Sequence, residues 1–331
     1  TLAAGEHNLT IRVRGKAAAS IACSARLARL HSLYLGTPIS VPDVSAGTLP
    51  FGGLLALPIF NPSESVLDRL TVFASREGIR ASEGAAEQSS LARVDSPIRI
   101  APGQSLPLPI RLELPVDGAL PNEDADGCVR LRVRVEGYAL DDPATQTAHV
   151  SNGVSLRLRC RKATSSFIFS FRDHDGSVSH AAAIRPRDGC VPWPSAGATE
   201  ASTDLTTGLT TEGPRCPVLL TLSGVGATAS SMADAHKYMP RAGGAWTFGM
   251  RHAWVLAPQR EGAHNWEGHG WWTALRAVGA LVRSTRGSEL AVDARRVLVS
   301  GHSRGGHGAW LYLTNQPDTT LAAVPAAGWS N

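Results

Sequence analysis

The chain has 331 residues, 43% of them hydrophobic, and a formal charge of +4 from 32 Lys+Arg against 28 Asp+Glu. The length suggests about two domains, and the apolar fraction excludes a chain disordered by composition. The 33 Gly and 21 Pro follow no period, which excludes collagen, and no apolar run approaches the roughly 18–20 residues of a membrane-spanning helix.

Residues 1–36 read as the remnant of a preceding β module. Asn8 to Arg14 alternates as a strand, and Ile21 to Leu30 reads as another or as a short helix. Asn8-Leu9-Thr10 is a glycosylation sequon of a common kind. Residues 37–163 read as β throughout. Strands are expected at Gly53 to Phe60, Leu67 to Ala74, Ser96 to Ile100, Leu106 to Leu114, Val129 to Val135 and Val154 to Cys160. Turn signals separate them, and Asn152-Gly153 is the strongest hairpin signal, since both residue types tolerate positive φ. Short strands at this spacing predict an all-β sandwich. Only Lys16, Lys162 and Lys237 are lysines. The arginines at 130, 132 and 134 alternate with Leu131, Val133 and Val135, which marks a half-buried strand and not a nucleic-acid surface.

From residue 164 the pattern changes. A strand over Phe167 to Phe171 meets the turn Asp173-His174-Asp175-Gly176, and Ser179 to Pro186 completes a hairpin. The turn lacks the further acids of a calcium loop. Ser195 to Arg215 reads as a loop. Then come continuous apolar strands at Val218 to Leu222, Ala253 to Ala257, Val297 to Ser300 and Leu321 to Ala327, all expected to be buried. Helices alternate with them, at about Ser230 to Tyr238, Gly270 to Arg286 and Gly305 to Asn315. In the second helix Trp271, Leu275, Val278 and Val282 form the expected core face. Strands alternating with helices predict a mostly parallel sheet over residues 164–331.

Gly301-His302-Ser303-Arg304-Gly305 is G-x-S-x-G. By itself this is a weak signal, but a buried strand runs into it and a helix runs out of it. A serine on such a strained turn has its hydroxyl lifted clear of the sheet, while Gly301 and Gly305 let strand and helix pass closely. The helix N-terminus offers free N–H groups, so an oxyanion would be held by the N–H of Arg304. A second donor is expected from Ser223-Gly224-Val225-Gly226, with Val225 as the choice. His264, Trp266 and His269 follow another strand and are expected to line the substrate pocket, Trp266 as an apolar wall. The spacing H-x-x-E-x-H over His264, Glu267 and His269 misses the helical zinc pattern, so no metal and no cofactor are expected. The cysteines at 23, 128, 160, 190 and 216 form no CxxC pair and predict neither a zinc ribbon nor a disulfide framework, which leaves the compartment open.

Residues 164–331 resemble the N-terminal two-thirds of an α/β-hydrolase, nearest to the prolyl-oligopeptidase-like serine peptidases and esterases. The resemblance is carried by Val292 to Val297 leading into Gly301 to Gly306, by Leu222-Ser223-Gly224, and by Ala326 to Trp329. Ser223-Gly224 departs from the His-Gly that many members carry there. Val41-Pro42-Asp43-Val44 and Ile100 to Ser105 resemble segments of immunoglobulin-like modules appended to larger enzymes. The family order of serine, acid and histidine implies an acid and a base beyond this chain. Asp318 and His307 are the only acid and histidine after Ser303, and neither suits the role. The chain, which starts at Thr1 without Met, then reads as a fragment inactive alone. The expectation is a serine hydrolase cleaving peptide or small ester substrates by acyl transfer, with a carboxylesterase as the alternative. Rivals are a non-catalytic interaction protein with a relic hydrolase domain and a metal hydrolase built on His264, Glu267 and His269.

Overall fold

The computed structural model describes residues 32–77, 91–114, 124–140, 148–191, 215–240 and 243–330. The expected strands before residue 31, the sequon and most of the 195–215 loop lie outside them.

Period-two alternation builds the first region. In the longest strand, Ala125–Ala139, Val129, Leu131, Val133 and Val135 are buried while Arg130 and Arg132 face solvent. Leu67–Arg76 and Val154–Arg161 pair antiparallel on either side of it, and Val44–Ser45 runs parallel to the latter. A second, antiparallel sheet has the order Tyr34–Leu35, Leu54–Phe60, Ser105–Leu112, Ala92–Val94. Leu55, Leu57, Leu108 and Ile110 of this sheet share one apolar core with Val72, Leu131, Val133, Leu156 and Leu158 of the other. Each such buried side chain contributes about 1.5–3 kcal/mol.

Three expectations are corrected here. The strand expected at Ser96 to Ile100 lies instead at Ala92–Val94, and only Ile100 makes a bridge, to Leu67. Pro97, which has no N–H to donate, interrupts the expected run. Asn152-Gly153 is not a hairpin turn. Ala148–Val150 and Val154–Arg161 both pair with the same long strand, so the dipeptide sits at a break along one edge. The Asn152 amide there accepts from the Leu35 N–H at 2.6 Å and donates to the Leu35 carbonyl at 3.2 Å. The cysteines do pair. Cys128–Cys160 joins two adjacent strands, with Cα atoms 5.8 Å apart, and Cys190–Cys216 joins two segments with Cα atoms 4.7 Å apart. Spacing along the chain carries no sign of these pairs, because strand adjacency creates them.

The second region is a six-stranded mixed sheet. We label its strands β1 (Phe167–Arg172), β2 (Val178–Ile184), β3 (Cys216–Leu222), β4 (Trp254–Pro258), β5 (Val292–His302) and β6 (Thr320–Ala326). Their spatial order is β1-β2-β4-β3-β5-β6. The first two pairings are antiparallel and the other three parallel. Every residue of β4 is buried, and β3 is buried except at Leu219, as continuous apolar runs dictate. β6 is not buried as the other apolar runs are. Among the described residues it pairs only with β5, the unpaired edge expected of the last strand of an unfinished sheet, and Leu321 and Val324 are 42% and 63% exposed.

Helices α1 (Ala229–Asp234), α2 (His269–Thr285) and α3 (Arg304–Asn315) follow β3, β4 and β5. α1 is shorter than expected. A capping box at Thr228 and Ser231 starts it, and Lys237–Tyr238 then pairs with Thr247–Phe248. α2 buries a smaller-residue face than expected, including Gly270, Thr273, Ala274, Ala277 and Leu281, with Val278 the shared position. Short side chains let the helix lie close to the sheet, and Trp271, Leu275 and Val282 flank it half-buried. No helix among the described residues is long and apolar enough to cross a membrane.

The two regions touch through specific contacts. Buried Asp43 accepts the Ile168 N–H at 2.8 Å and the Arg159 guanidinium at 2.9 and 3.1 Å. Phe51 packs edge-on against Phe169 with centroids 4.8 Å apart. Asp95 joins Arg111 of its own region to Arg172 of β1. Burial pushes the Asp95 carboxyl up, but hydrogen bonds from Arg172 and Arg111 outweigh it and hold the group below its ordinary range.

Candidate active site

β5 and α3 set the geometry around Ser303. The residue has φ 58° and ψ −119°, a backbone conformation that a side chain adopts only under strain of order 1–3 kcal/mol. What holds it there is close packing of backbone on backbone. A Cβ on Gly301 would stand 2.1 Å from the Gly305 carbonyl oxygen, and one on Gly305 would stand 1.9 Å from that of Leu222. Gly306 and Gly308 have similarly little room, against Ala326 and Trp266. The start of α3 is thereby wedged between the C-terminal ends of β3 and β6. The Ser303 N–H donates to the Ala326 carbonyl at 3.0 Å, and the Ser303 hydroxyl makes no hydrogen bond among the described residues.

The loop after β3 lies beside this turn. Leu222 is in register with Gly301, and a Cβ on Gly224 would lie 3.6 Å from that of Ser303. Val225 follows, 66% exposed, and Arg304 is the first residue of α3. The residues expected to supply the two N–H donors thus follow the ends of the adjacent strands β3 and β5. Ser223 is buried, and its hydroxyl has no hydrogen-bond partner among the described residues.

The loop after β4 braces the turn from another side. Trp266 is 1% exposed, so it offers no open wall to a pocket, contrary to expectation. Its indole donates to the Ser223 carbonyl at 2.9 Å, and its Cβ would lie only 2.7 Å from a Cβ on Gly308. Trp266 itself has φ 67°. His264 stacks edge-on against Trp266, and its Nδ1 accepts the Trp266 N–H at 3.1 Å. Burial, then Arg260 and His269, lower its pKa, which favours the neutral ring. Glu267 turns the other way and meets Nε2 of the fully buried His307 at 2.9 Å. His307 Nδ1 lies 2.8 Å from the Trp329 carbonyl oxygen, and its ring stacks on Trp329. Both nitrogens of His307 are thus engaged away from Ser303. His269 opens α2, exposed, 3.0 Å from His174. His264, Glu267 and His269 have three different partners and do not converge, which counts against the metal-hydrolase rival. Asp318 lies in the turn that leads into β6, at the opposite edge of the sheet from Ser303.

Known proteins give little further. No protein-family profile matches the chain. An uncharacterized secreted protein of Arthroderma benhamiae is 29% identical over 87 residues, 24% of this chain and 9% of that protein's length. Among solved structures, a thermostable esterase aligns over 91% of this chain and 78% of its own at 14% identity and a TM-score of 0.33. An S-formylglutathione hydrolase of Staphylococcus aureus aligns over 50% and 57% at 14% identity and 0.30. Prolyl oligopeptidase B of Galerina marginata aligns over 61% and 26% at 14% identity and 0.28. The chain spans less than a tenth of the fungal relative and little more than half of the S-formylglutathione hydrolase. Scores this low carry no argument, so the reading rests on the geometry.

Sequence reasoning located the serine turn but missed what braces it. The His307 contacts to Glu267 and Trp329 join residues 40 and 22 positions apart. The one signal for them in the sequence is a histidine inside a glycine-rich helix start.

Proposed function

We propose that the chain carries the nucleophile half of a serine hydrolase. Ser303 attacks an ester or peptide carbonyl, the N–H groups of Arg304 and Val225 receive the oxyanion, and water releases the acyl group. The observation that carries this reading is the strained Ser303 backbone, fixed at a strand-to-helix crossing where Gly301, Gly305 and Leu222 leave no space for a side chain. A plain turn has no need of that strain. No histidine engages Ser303 among the described residues, so the base and acid of this reading come from sequence outside these residues. The first region, proposed as an immunoglobulin-like sandwich over 37–163, would restrict access to the site. The two disulfides suit an oxidising compartment.

The test is Ser303→Ala in the intact protein. Hydrolysis of activated esters should fall by about 10⁴-fold or more, and labelling by a fluorophosphonate should vanish. Parallel peptide and ester assays separate a prolyl-oligopeptidase-like peptidase from a carboxylesterase. Wild-type turnover in the alanine variant would end the serine-hydrolase reading.

A further inference from the structure

A second polar constellation joins the turn after β1 to the start of α2. The His269 ring in it lies 6.2 Å from the ring of His264, which packs on Trp266. At its centre is Asp173, whose side chain is 2% exposed. Its Oδ2 accepts the Thr273 hydroxyl at 2.6 Å, and its Oδ1 accepts the His174 backbone N–H at 2.7 Å and faces the His174 ring Nδ1 at 2.9 Å. Both Asp173 oxygens accept, so the His174 ring donates to Asp173 from Nδ1 and leaves the Nε2 lone pair as an acceptor. That lone pair faces Nδ1 of His269 at 3.0 Å.

A buried, fully hydrogen-bonded carboxylate that aims one partly exposed imidazole at another is the outer-shell arrangement of metal-binding histidines. Two nitrogens 3.0 Å apart, each about 2.0–2.1 Å from a metal, subtend about 95° at it. That is the angle between neighbouring ligands in a square-planar or octahedral site and is tight for a tetrahedral one. His269 is exposed at the first residue of α2. His264 is no third ligand, because its Nδ1 accepts the Trp266 N–H and its Nε2 then holds the proton. The nearby Asp175 carboxylate adds negative charge beside the two rings. Open positions would be filled by water.

We propose that His174 and His269 form a two-histidine site for a divalent transition-metal ion, copper(II) by preference, with Asp173 and Thr273 orienting the pair. Copper(II) is favoured by its rank in affinity and its preference for square-planar nitrogen donors. The proposal stands independently of the hydrolase reading and adds a metal where the sequence predicts none.

The test is titration of the full chain with copper(II) sulfate in a non-coordinating buffer, followed by calorimetry and electron paramagnetic resonance. One tight equivalent with hyperfine structure from two imidazole nitrogens is expected. His174→Ala and His269→Ala should each weaken it at least about tenfold, and Asp173→Asn about 10–100-fold. Should Asp173→Asn fail to fold, Thr273→Val carries the same comparison, with a smaller loss expected. Binding by the wild type no tighter than by the His174→Ala/His269→Ala double variant would overturn the proposal. It would mean that the rings share only a hydrogen bond.

Discussion

The two regions keep their backbone strain in different places. In the first, the described non-glycine residues with positive φ are Ser40, Ala46, Phe51 and Arg69, scattered over turns and one strand irregularity. In the second they are Trp266, Ser303 and Ala327, and all three border the first turn of α3. Trp266 packs under Gly308, and Ala327 links Ala326, which accepts the Ser303 N–H, to Gly328, which lies against Gly306. Scattered strain is what chain reversal requires of any fold. Strain gathered around one serine turn needs surrounding structure to hold it in place, and it is the ground on which Ser303 is proposed as the nucleophile.

The sharpest way to break this comparison is to compare one glycine from each region. Gly305→Ala places a methyl group 1.9 Å from the Leu222 carbonyl, where only backbone can yield. It should cost at least about 4 kcal/mol and abolish activity with the fold. Gly103→Ala, with φ 70° but nothing within 4 Å, should cost only about 1–2 kcal/mol. Urea melts of both variants decide the matter. Equal losses would show that the crossing at Ser303 is no tighter than an ordinary turn.

What could be read from the sequence follows from how far apart the partners lie. Alternation at Val129 to Val135, the apolar runs of β3 and β4, and the serine turn are local patterns, and each was legible. Features set by tertiary adjacency were not. The face of α2 was legible only in part: Val278 is buried and Trp271, Leu275 and Val282 pack at its flank, but its centre is made by Ala274 and Ala277, whose short side chains fit against the sheet. Asp173 and Thr273 meet across 100 residues, and nothing in the turn Asp173-His174-Asp175-Gly176 announces a helix partner. Asn152-Gly153 has the composition of a hairpin, but strand pairing on a shared neighbour overrides it.

The disulfides sharpen the comparison further, since each lies within one region. Closing loops of 32 and 26 residues, they should each contribute about 3.5 kcal/mol through the unfolded chain. Replacing Cys128 and Cys160 by serine should lower the melting of the first region, and replacing Cys190 and Cys216 that of the second. Calorimetry should resolve two transitions, one moved in each variant. A single transition lowered equally by both would show that the regions melt as one body, against the proposed boundary near residue 163.

The smallest expected effect concerns the seam between the regions. His180 on β2 lies 3.2 Å from the Ser40 hydroxyl, and burial, then the charge of Arg159, lower its pKa from 6.5 to about 4. Between those values the unfolded chain binds a proton that the folded chain refuses, so stability rises with pH through this window. Below about pH 4 both states are protonated and the slope from this group disappears. A shift of about 2.5 units corresponds to about 3 kcal/mol at most. Asp43 works in the opposite sense: burial raises its pKa against the Ile168 hydrogen bond and Arg159, so protonation above pH 3.8 favours the folded form. His180→Gln retains a polar group near Ser40 and removes the titration, while Asp43 stays common to both proteins. Wild type should therefore lose up to about 3 kcal/mol more than the variant between pH 7 and pH 4, measured by urea melts at each pH. Superimposable curves would mean that the folded chain accepts a charged imidazole beside Arg159. The seam would then be wet enough to screen the pair, and the two regions less firmly joined than Asp43 and Phe51 imply.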